Sequence, residues 1–481
     1  MPPVDDGARL SGPVAGTPGI FITGFDLASV GYVLEEYFLE STATSFEMAG
    51  PAEPDGRWAV RPAAEAPFVT RLVVCRPSDP GAFTGTVVVE WLNVSAGIDA
   101  PAHWMLTHRH VIRAGWAYVG VSAQRRGIEG GGGIFEDGSA GPDVPQRVLL
   151  PALKQSDPAR YRALHHPGDA FSFDIFTRAV RAVRGGGLLG PAPAGCVLGA
   201  GQSQSAIHLV TYLDAVVPGL SPEAVCDGYL IGSRSGSAAP LSGWDGRIRS
   251  GPQDVRIRTD LRVPVLTVQT ETDVTGLLAG VTARQPDSDQ FRWWEIAGAA
   301  HADTYVIGAA FSDSGRLDPA ELARLTAPTA TPMGMPSPEP VNSGLQHHYV
   351  SQAAIAHLDQ WARGGPRPPS SPRLETAPDD PMRLVTDGSG IARGGIRTGW
   401  VDTPVAALSG LTPDGAEGMA VLFGTTRTFD DAELARRYPA GRADYTAAFR
   451  AATMSAVAEG FLLAEDAEEI IAVATAAYPP A

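Results

Sequence analysis

The reactive side chains of this sequence concentrate at three places. The first is the pentapeptide Gly201-Gln202-Ser203-Gln204-Ser205, the second the acidic pair Glu271 and Asp273, the third His301. A short apolar run from Cys196 enters the Gly-x-Ser turn, and a helical pattern begins directly after it. A strand–turn–helix of this kind holds a serine on a tight bend, its hydroxyl exposed and backbone N–H groups free at the helix start. Small neighbours are needed, because the bend strains the serine backbone and leaves no room beside it. Gly201 meets that need two residues before Ser203; two residues after it, where a second glycine is usual, stands Ser205.

Serine is a weak nucleophile unless a base lies within hydrogen-bond reach and an acid orients that base. On a parallel sheet these partners follow in the order serine, acid, histidine, each leaving the end of a later strand. The run Val263–Thr270 reads as a strand, with Glu271-Thr272-Asp273-Val274 just beyond its end. Three residues past Thr270 lies Asp273, the preferred acid, with Glu271 close enough to be the alternative. Phe291–Ile296 reads as a further strand, running into a loop of Ala and Gly that carries His301. An oxyanion hole is expected from the N–H of Gln204 and from one in the loop Leu92–Gly97, at Val94 or its neighbour Asn93. Two neutral donors aimed at a developing negative oxygen suit acyl transfer.

The elements that must position these groups follow a strand–helix rhythm. Gly31–Phe46, Phe68–Cys75, Thr86–Val94 and Trp116–Ser122 read as strands, with a helix at Ala102–Ala114. A short helix is expected at Asp157–Leu164 and a firm one at Asp169–Val183, leading into the strand before Ser203. Asp227–Gly232 is the next strand, and Tyr349–Arg363 a helix closed by Gly364-Gly365-Pro366. This alternation predicts an α/β fold, a mostly parallel sheet with helices on both faces. Irregular stretches at about 123–168, 233–260 and 309–344 follow strands on the side of the reactive residues and are expected to form a cap over Ser203. Pro319–Leu325 is a short helix within the last of them. The expected division is a core over 20–365 carrying those insertions and an α/β extension over 366–481 packed on it. In the extension, Leu384–Val401 reads as β-like, and Asp430–Arg437, Ala443–Ala458 and Ala464–Ala477 as helices.

Composition narrows the alternatives. With 481 residues the chain can bury a large core, and a net charge of −16 speaks against general nucleic-acid binding. Three cysteines, Cys75, Cys196 and Cys226, all in apolar context, read as buried free thiols. No signal peptide and no membrane-spanning run is visible, so the expected compartment is the cytoplasm. No His-Glu-x-x-His or Cys-x-x-Cys occurs, and the adjacent pairs His165-His166 and His347-His348 are expected at the surface or a pocket rim. The glycine run Gly130–Gly133 lacks the Lys-Ser/Thr of a phosphate loop. Trp91, Trp104, Trp293 and Trp294 are expected in the core rather than lining an acyl pocket. No metal or cofactor is expected.

Taken together, these phrases resemble the alpha/beta-hydrolase superfamily, and within it the group of uncharacterised alpha/beta hydrolase domain proteins. The resemblance rests on Val89-Glu90-Trp91-Leu92-Asn93-Val94-Ser95, His166-Pro167-Gly168-Asp169 with Asp174-Ile175, the Ser203 pentapeptide, and Thr270-Glu271-Thr272-Asp273-Val274. Arg284-Gln285-Pro286-Asp287-Ser288, Gly298-Ala299-Ala300-His301-Ala302-Asp303 and Gly394-Gly395-Ile396-Arg397-Thr398 extend it into the tail. It implies an alpha/beta-hydrolase fold, one continuous module and serine-ester hydrolysis, with Ser205 a trait of the group. The expected activity is a serine hydrolase of the carboxylesterase type acting on a small ester, thioester or lactone through Ser203, Asp273 and His301. An acyltransferase using the same residues, or a ligand-binding protein that keeps the fold without chemistry, are the alternatives.

Overall fold

In the run Cys196–Gln202 the side chains of Cys196, Leu198 and Ala200 join one buried cluster, and Val197 joins another. The same alternation separates Val88 from Val87, Val89 and Trp91, and Trp294 and Ile296 from Phe291 and Trp293. Successive side chains of a strand point to opposite faces, so each of these strands is apolar on both sides and must be covered on both. That requirement dictates a helix-sandwiched sheet.

The computed structural model describes residues 7–131, 151–190, 193–244 and 251–479. Nine strands form one sheet: β1 (Arg9–Ser11), β2 (Tyr32–Met48), β3 (Val60–Pro77), β4 (Thr86–Trp91), β5 (Ala117–Val121), β6 (Cys196–Gln202), β7 (Gly228–Gly232), β8 (Val265–Thr270) and β9 (Phe291–Ile296). Their order is β1-β2-β3-β5-β4-β6-β7-β8-β9. The pairs from β5 through β9 are parallel, and β1, β2 and β3 extend the sheet antiparallel. Helices Ala102–Arg113 and Gln346–Ala362 supply apolar residues to one cluster, Ser172–Gly185 and Gln204–Thr211 to the other. The fold class expected from the sequence is therefore the one found. Trp91, Trp104, Trp293 and Trp294 are among the most deeply buried side chains and belong to this core.

Several local expectations change. The strand expected from Phe68 begins at Val60. Its first residues, 60–67, are mostly exposed Ala and Pro in an antiparallel ribbon with β2, which shows no apolar alternation. The strand expected to reach Val94 ends at Trp91, because Asn93 turns away to pair with Ala100. No helix forms over Asp157–Leu164. The Tyr161 hydroxyl there donates to Glu36 and accepts Gly19 N–H, which holds the segment in turns. Residues 132–150 of the first expected cap segment, with Gly132 and Gly133 of the glycine run, and residues 245–250 of the second, lie outside the described residues.

Apolar residues of the tail, among them Ile396, Val401, Ala407, Phe429 and Phe449, are continuous with the cluster on one sheet face. The β-like stretch around Gly394 meets the sheet edge through a bridge between Ile296 and Ile396. Beyond it a hairpin of two four-residue strands, Ala406–Ser409 and Thr425–Thr428, was not foreseen. Among the described residues no helix is long and apolar enough to cross a membrane.

Candidate active site

Parallel strands leave their C-terminal ends along one edge of the sheet, where ligand sites of such folds lie. In register, Gln202 pairs with Gly232 and Thr270 with Ile296, so the residues that follow each strand emerge side by side. Ser203, Glu271–Asp273 and the His301 loop all leave from this edge.

Ser203 has φ 62° and ψ −120°, a backbone conformation that costs a non-glycine residue about 1–3 kcal/mol. Its surroundings hold it there. Ser203 N–H donates to Gly232 O at 2.9 Å, and Ser203 O accepts from Ile207 N–H at 3.2 Å, opening the helix Gln204–Thr211. A Cβ on Gly201 would lie 2.7 Å from Leu209 Cδ1 and 3.2 Å from the Ser205 carbonyl, so a side chain there would have to displace Leu209. Ser205 does what a second glycine could not: its hydroxyl donates to Gln202 O and accepts Gln202 N–H, both at 3.0 Å, closing the bend.

His301 Nδ1 lies 2.6 Å from Asp273 Oδ1. The other carboxylate oxygen, Oδ2, accepts Thr270 N–H at 2.7 Å and the Thr270 hydroxyl at 2.8 Å. Burial pushes the Asp273 carboxyl up, but the charge and hydrogen bond of His301 and the bonds from Thr270 outweigh it, and the net shift is down. An ionised, fully oriented carboxylate on Nδ1 fixes the ring and leaves Nε2 for proton transfer. Glu271 does not reach the imidazole. Its Oε1 accepts Gly298 N–H at 2.5 Å and its Oε2 accepts Gly410 N–H at 2.7 Å. Burial pushes this carboxyl up to about 7, against the pull of those same hydrogen bonds.

The loop after β4 is pinned at both ends. Glu90, buried in β4, accepts the N–H groups of His103 and Trp104 and so caps the helix Ala102–Arg113. At the other end Asp99 accepts from Arg71 at 2.7 Å and from the Ser122 hydroxyl at 2.5 Å. In between, Asn93 Nδ2 donates to Gln202 O at 2.9 Å, and its Oδ1 accepts Ser95 N–H at 2.8 Å. Val94 N–H donates to the side-chain Oε1 of Gln204 at 3.1 Å. The Gln204 amide also bonds Gln124, which in turn accepts the Trp91 indole N–H. The loop and the Ser203 turn are thus tied by Asn93 and Gln204, the backbone N–H of Gln204 standing at the helix start.

Other residues converge here without having been foreseen. Thr272 Oγ1 accepts His301 N–H at 3.1 Å and donates to Gly410 O at 2.5 Å. Asn342 and Gln346 both donate to Gly298 O, at 2.9 and 2.6 Å. The histidine pairs differ from expectation. His166, His347 and His348 are buried and only His165 is exposed. The helix Gln346–Ala362 is buried around nearly its whole circumference, so adjacent histidines on it have no free surface to occupy. His347 feels the charges of both Asp273 and His301, and burial pushes its imidazole down to about 4. Asp303, two residues past His301, has Oδ1 on Val306 N–H and a buried Oδ2 without a partner; burial raises it to about 7. Among the described residues no group of three or more His, Cys, Asp or Glu is arranged to hold a metal ion.

Comparison with known proteins adds a family. A family sequence profile described as "Alpha/beta hydrolase domain" matches residues 2–472. Curated proteins give no match. Among solved structures the chain is similar to esterase Est22, with 12% identity over 61% of this chain and 79% of that one, and a TM-score of 0.33. A thermostable esterase from Pseudomonas putida shares 13% identity over 54% and 71% of the two chains, TM-score 0.27. A structural study of two fungal esterases from Rhizomucor miehei gives 12% identity over 60% and 86%, TM-score 0.30.

Proposed function

The chain belongs to the alpha/beta hydrolase domain family, and from that premise we propose that it is a serine hydrolase of the carboxylesterase type, working through Ser203, His301 and Asp273. The observation that carries the reading is the 2.6 Å contact between Asp273 and His301, together with a serine held at positive φ past the end of a strand at the same sheet edge. Ser203 Oγ attacks the ester carbonyl carbon as His301 Nε2 takes its proton. The tetrahedral oxyanion is met by the N–H of Gln204 and by that of Val94, which the Gln204 side chain keeps turned toward the nucleophile helix until the oxyanion competes for it. The C–O bond breaks, His301 returns the proton to the leaving alcohol, and an acyl-Ser203 ester remains. Water, deprotonated by His301, then releases the acid and restores the serine. Asp273 keeps the imidazole in the required tautomer throughout. On this reading residues 20–365 are the catalytic core and 366–481 an extension packed on it, and the irregular segments after β5, β7 and β9 select the acyl and alcohol groups.

Ser203→Ala is the direct test. It is expected to abolish hydrolysis of p-nitrophenyl acetate and butyrate and labelling by a fluorophosphonate, while circular dichroism stays that of the wild type. Turnover retained by the variant, or a wild-type enzyme that neither hydrolyses these esters nor takes the label, would overturn the assignment.

A further inference from the structure

Three stretches of chain far apart in sequence meet behind His301: the turn after β8, the loop after β9 and the hairpin near residue 410. Thr272 joins all three with one hydroxyl. It has a single proton, given to Gly410 O at 2.5 Å, and its lone pairs receive His301 N–H at 3.1 Å. Glu271 repeats the pattern with its carboxyl group, both oxygens of which accept. Gly298 N–H of the histidine loop reaches one oxygen at 2.5 Å, Gly410 N–H of the hairpin the other at 2.7 Å. The Ser409 hydroxyl adds a longer bond of 3.4 Å.

The backbone closes the same junction. Glu271 N–H donates to Ala299 O and Ala302 N–H to Leu422 O, both at 3.1 Å. Asn342 Nδ2 bridges Gly298 O at 2.9 Å and Ser409 O at 3.0 Å. A Cβ on Gly410 would lie 2.7 Å from Glu271 Cβ and 2.9 Å from Thr272 N, and one on Gly424 would lie 2.8 Å from Ala300 Cβ. Gly410 is small because backbone lies directly on it, and Gly298 because it has φ 69° and the Val401 side chain fills the space beside it.

We propose that Thr272 and Glu271 are positioning residues through which the C-terminal hairpin holds the His301 loop against Asp273. The inference rests on the esterase reading for its catalytic consequence, not for its geometry. Proton transfer needs the imidazole placed to a fraction of an ångström, and a displacement of about 1 Å can cost about 100-fold in rate. Two acceptor groups on the acid turn fix both ends of the histidine loop to a support that the core alone does not contain.

The test compares Thr272→Val, which keeps the shape and removes the hydroxyl, with Thr272→Ser, which restores it, and adds Glu271→Gln, whose amide must turn an NH2 toward one of two N–H groups. Steady-state p-nitrophenyl ester hydrolysis is measured well below each variant's melting temperature, beside the downfield proton resonance of His301 Nδ1–H. Thr272→Val and Glu271→Gln are expected to lose about 10- to 100-fold in kcat with KM changed less than about threefold, and to lose or broaden the resonance. Thr272→Ser is expected to recover both. A kcat and resonance unchanged in Thr272→Val and Glu271→Gln, with only the melting temperature lowered, would overturn the proposal. A wild type without ester hydrolysis whose resonance still follows the variants as expected would leave the positioning role standing and remove the esterase reading instead.

Discussion

Glu271 and Asp273, two residues apart on one turn, direct their carboxylates to opposite ends of the same loop: Asp273 Oδ1 to His301 Nδ1, Glu271 Oε1 to Gly298 N. Both are fully buried, yet their ionisation moves in opposite directions. Burial pushes both up. For Asp273 a neighbouring imidazole that can carry positive charge reverses the shift, while for Glu271 the hydrogen bonds of Gly410, Gly298 and Ser409 and the charge of Arg397 do not offset burial. Neighbouring acids pushed apart in this way take different parts. One orients the ring, the other fastens the loop that bears it.

The first prediction follows from the Asp273 contact. Asp273→Asn keeps the size of the side chain but can set an N–H toward Nδ1, favouring the wrong tautomer. In a well-studied serine triad the equivalent change costs about 10⁴-fold in kcat. A loss of that order is expected here in ester hydrolysis, with the melting temperature lowered only modestly. A loss smaller than tenfold would mean that the 2.6 Å contact does not govern the imidazole.

Asn93 ties the loop after β4 to the nucleophile turn through Gln202 O and Ser95 N–H. Asn93→Ala releases both bonds. If that loop supplies an oxyanion donor, its drift should lower kcat by about 10- to 100-fold with little change in KM. Stopped-flow acylation rates with p-nitrophenyl acetate would report it. An acylation rate equal to that of wild type would show that the loop keeps its place without Asn93.

Ser205 closes the bend by bonding both backbone groups of Gln202. Ser205→Ala leaves these buried groups with fewer partners and is expected to cost about 1–2 kcal/mol of stability. Activity should fall less than about tenfold, since Ser203 is also held by Gly232 and Gly201. Chemical denaturation with parallel kinetics would measure both; a variant as stable as wild type would remove the role assigned to the Ser205 hydroxyl.

Asp303 gives a pH prediction. Its carboxyl is pushed up to about 7 in the folded chain and titrates near 3.9 when unfolded. Between these values the folded state holds a proton that the unfolded state has released. Its contribution is therefore complete below about pH 4 and is lost as pH rises toward 7, at about 1.4 kcal/mol per pH unit at most. Asp303→Asn cannot ionise, so its stability relative to wild type should increase from pH 5 to pH 7.5. Melting temperatures of the two proteins across that range test the sign, and a difference independent of pH would show that Asp303 is already ionised at pH 5.

The strands that carry the candidate site were legible because their signals are local. Strands buried on both faces read as near-continuous apolar runs, and Ser203, Asp273 and His301 each sit just past the end of one. The supports of the site were not legible, because each depends on a distant partner. Thr272 meets Gly410 across 138 positions, and the four-residue strands of the hairpin are too short to carry a period. Asn342 and Gln346 read as ordinary polar residues near a helix start until Gly298 O lies against them. His347 and His348 misled for a related reason: what buries them, Leu106 O and Tyr305 for His348 and the Asp273–His301 pair for His347, lies far away in the sequence.

The hairpin near Gly410 also gives the chain an order of assembly. Ser203, Asp273 and His301 leave the ribosome well before residues 406–428, yet the loop carrying His301 closes onto atoms of that hairpin. A chain that stops between the helix Gln346–Ala362 and Ala406 would hold Ser203, Asp273 and His301 and lack the clasp on the His301 loop. On the esterase reading, a chain that stops short of the hairpin is therefore expected to hydrolyse esters far more slowly than the full chain.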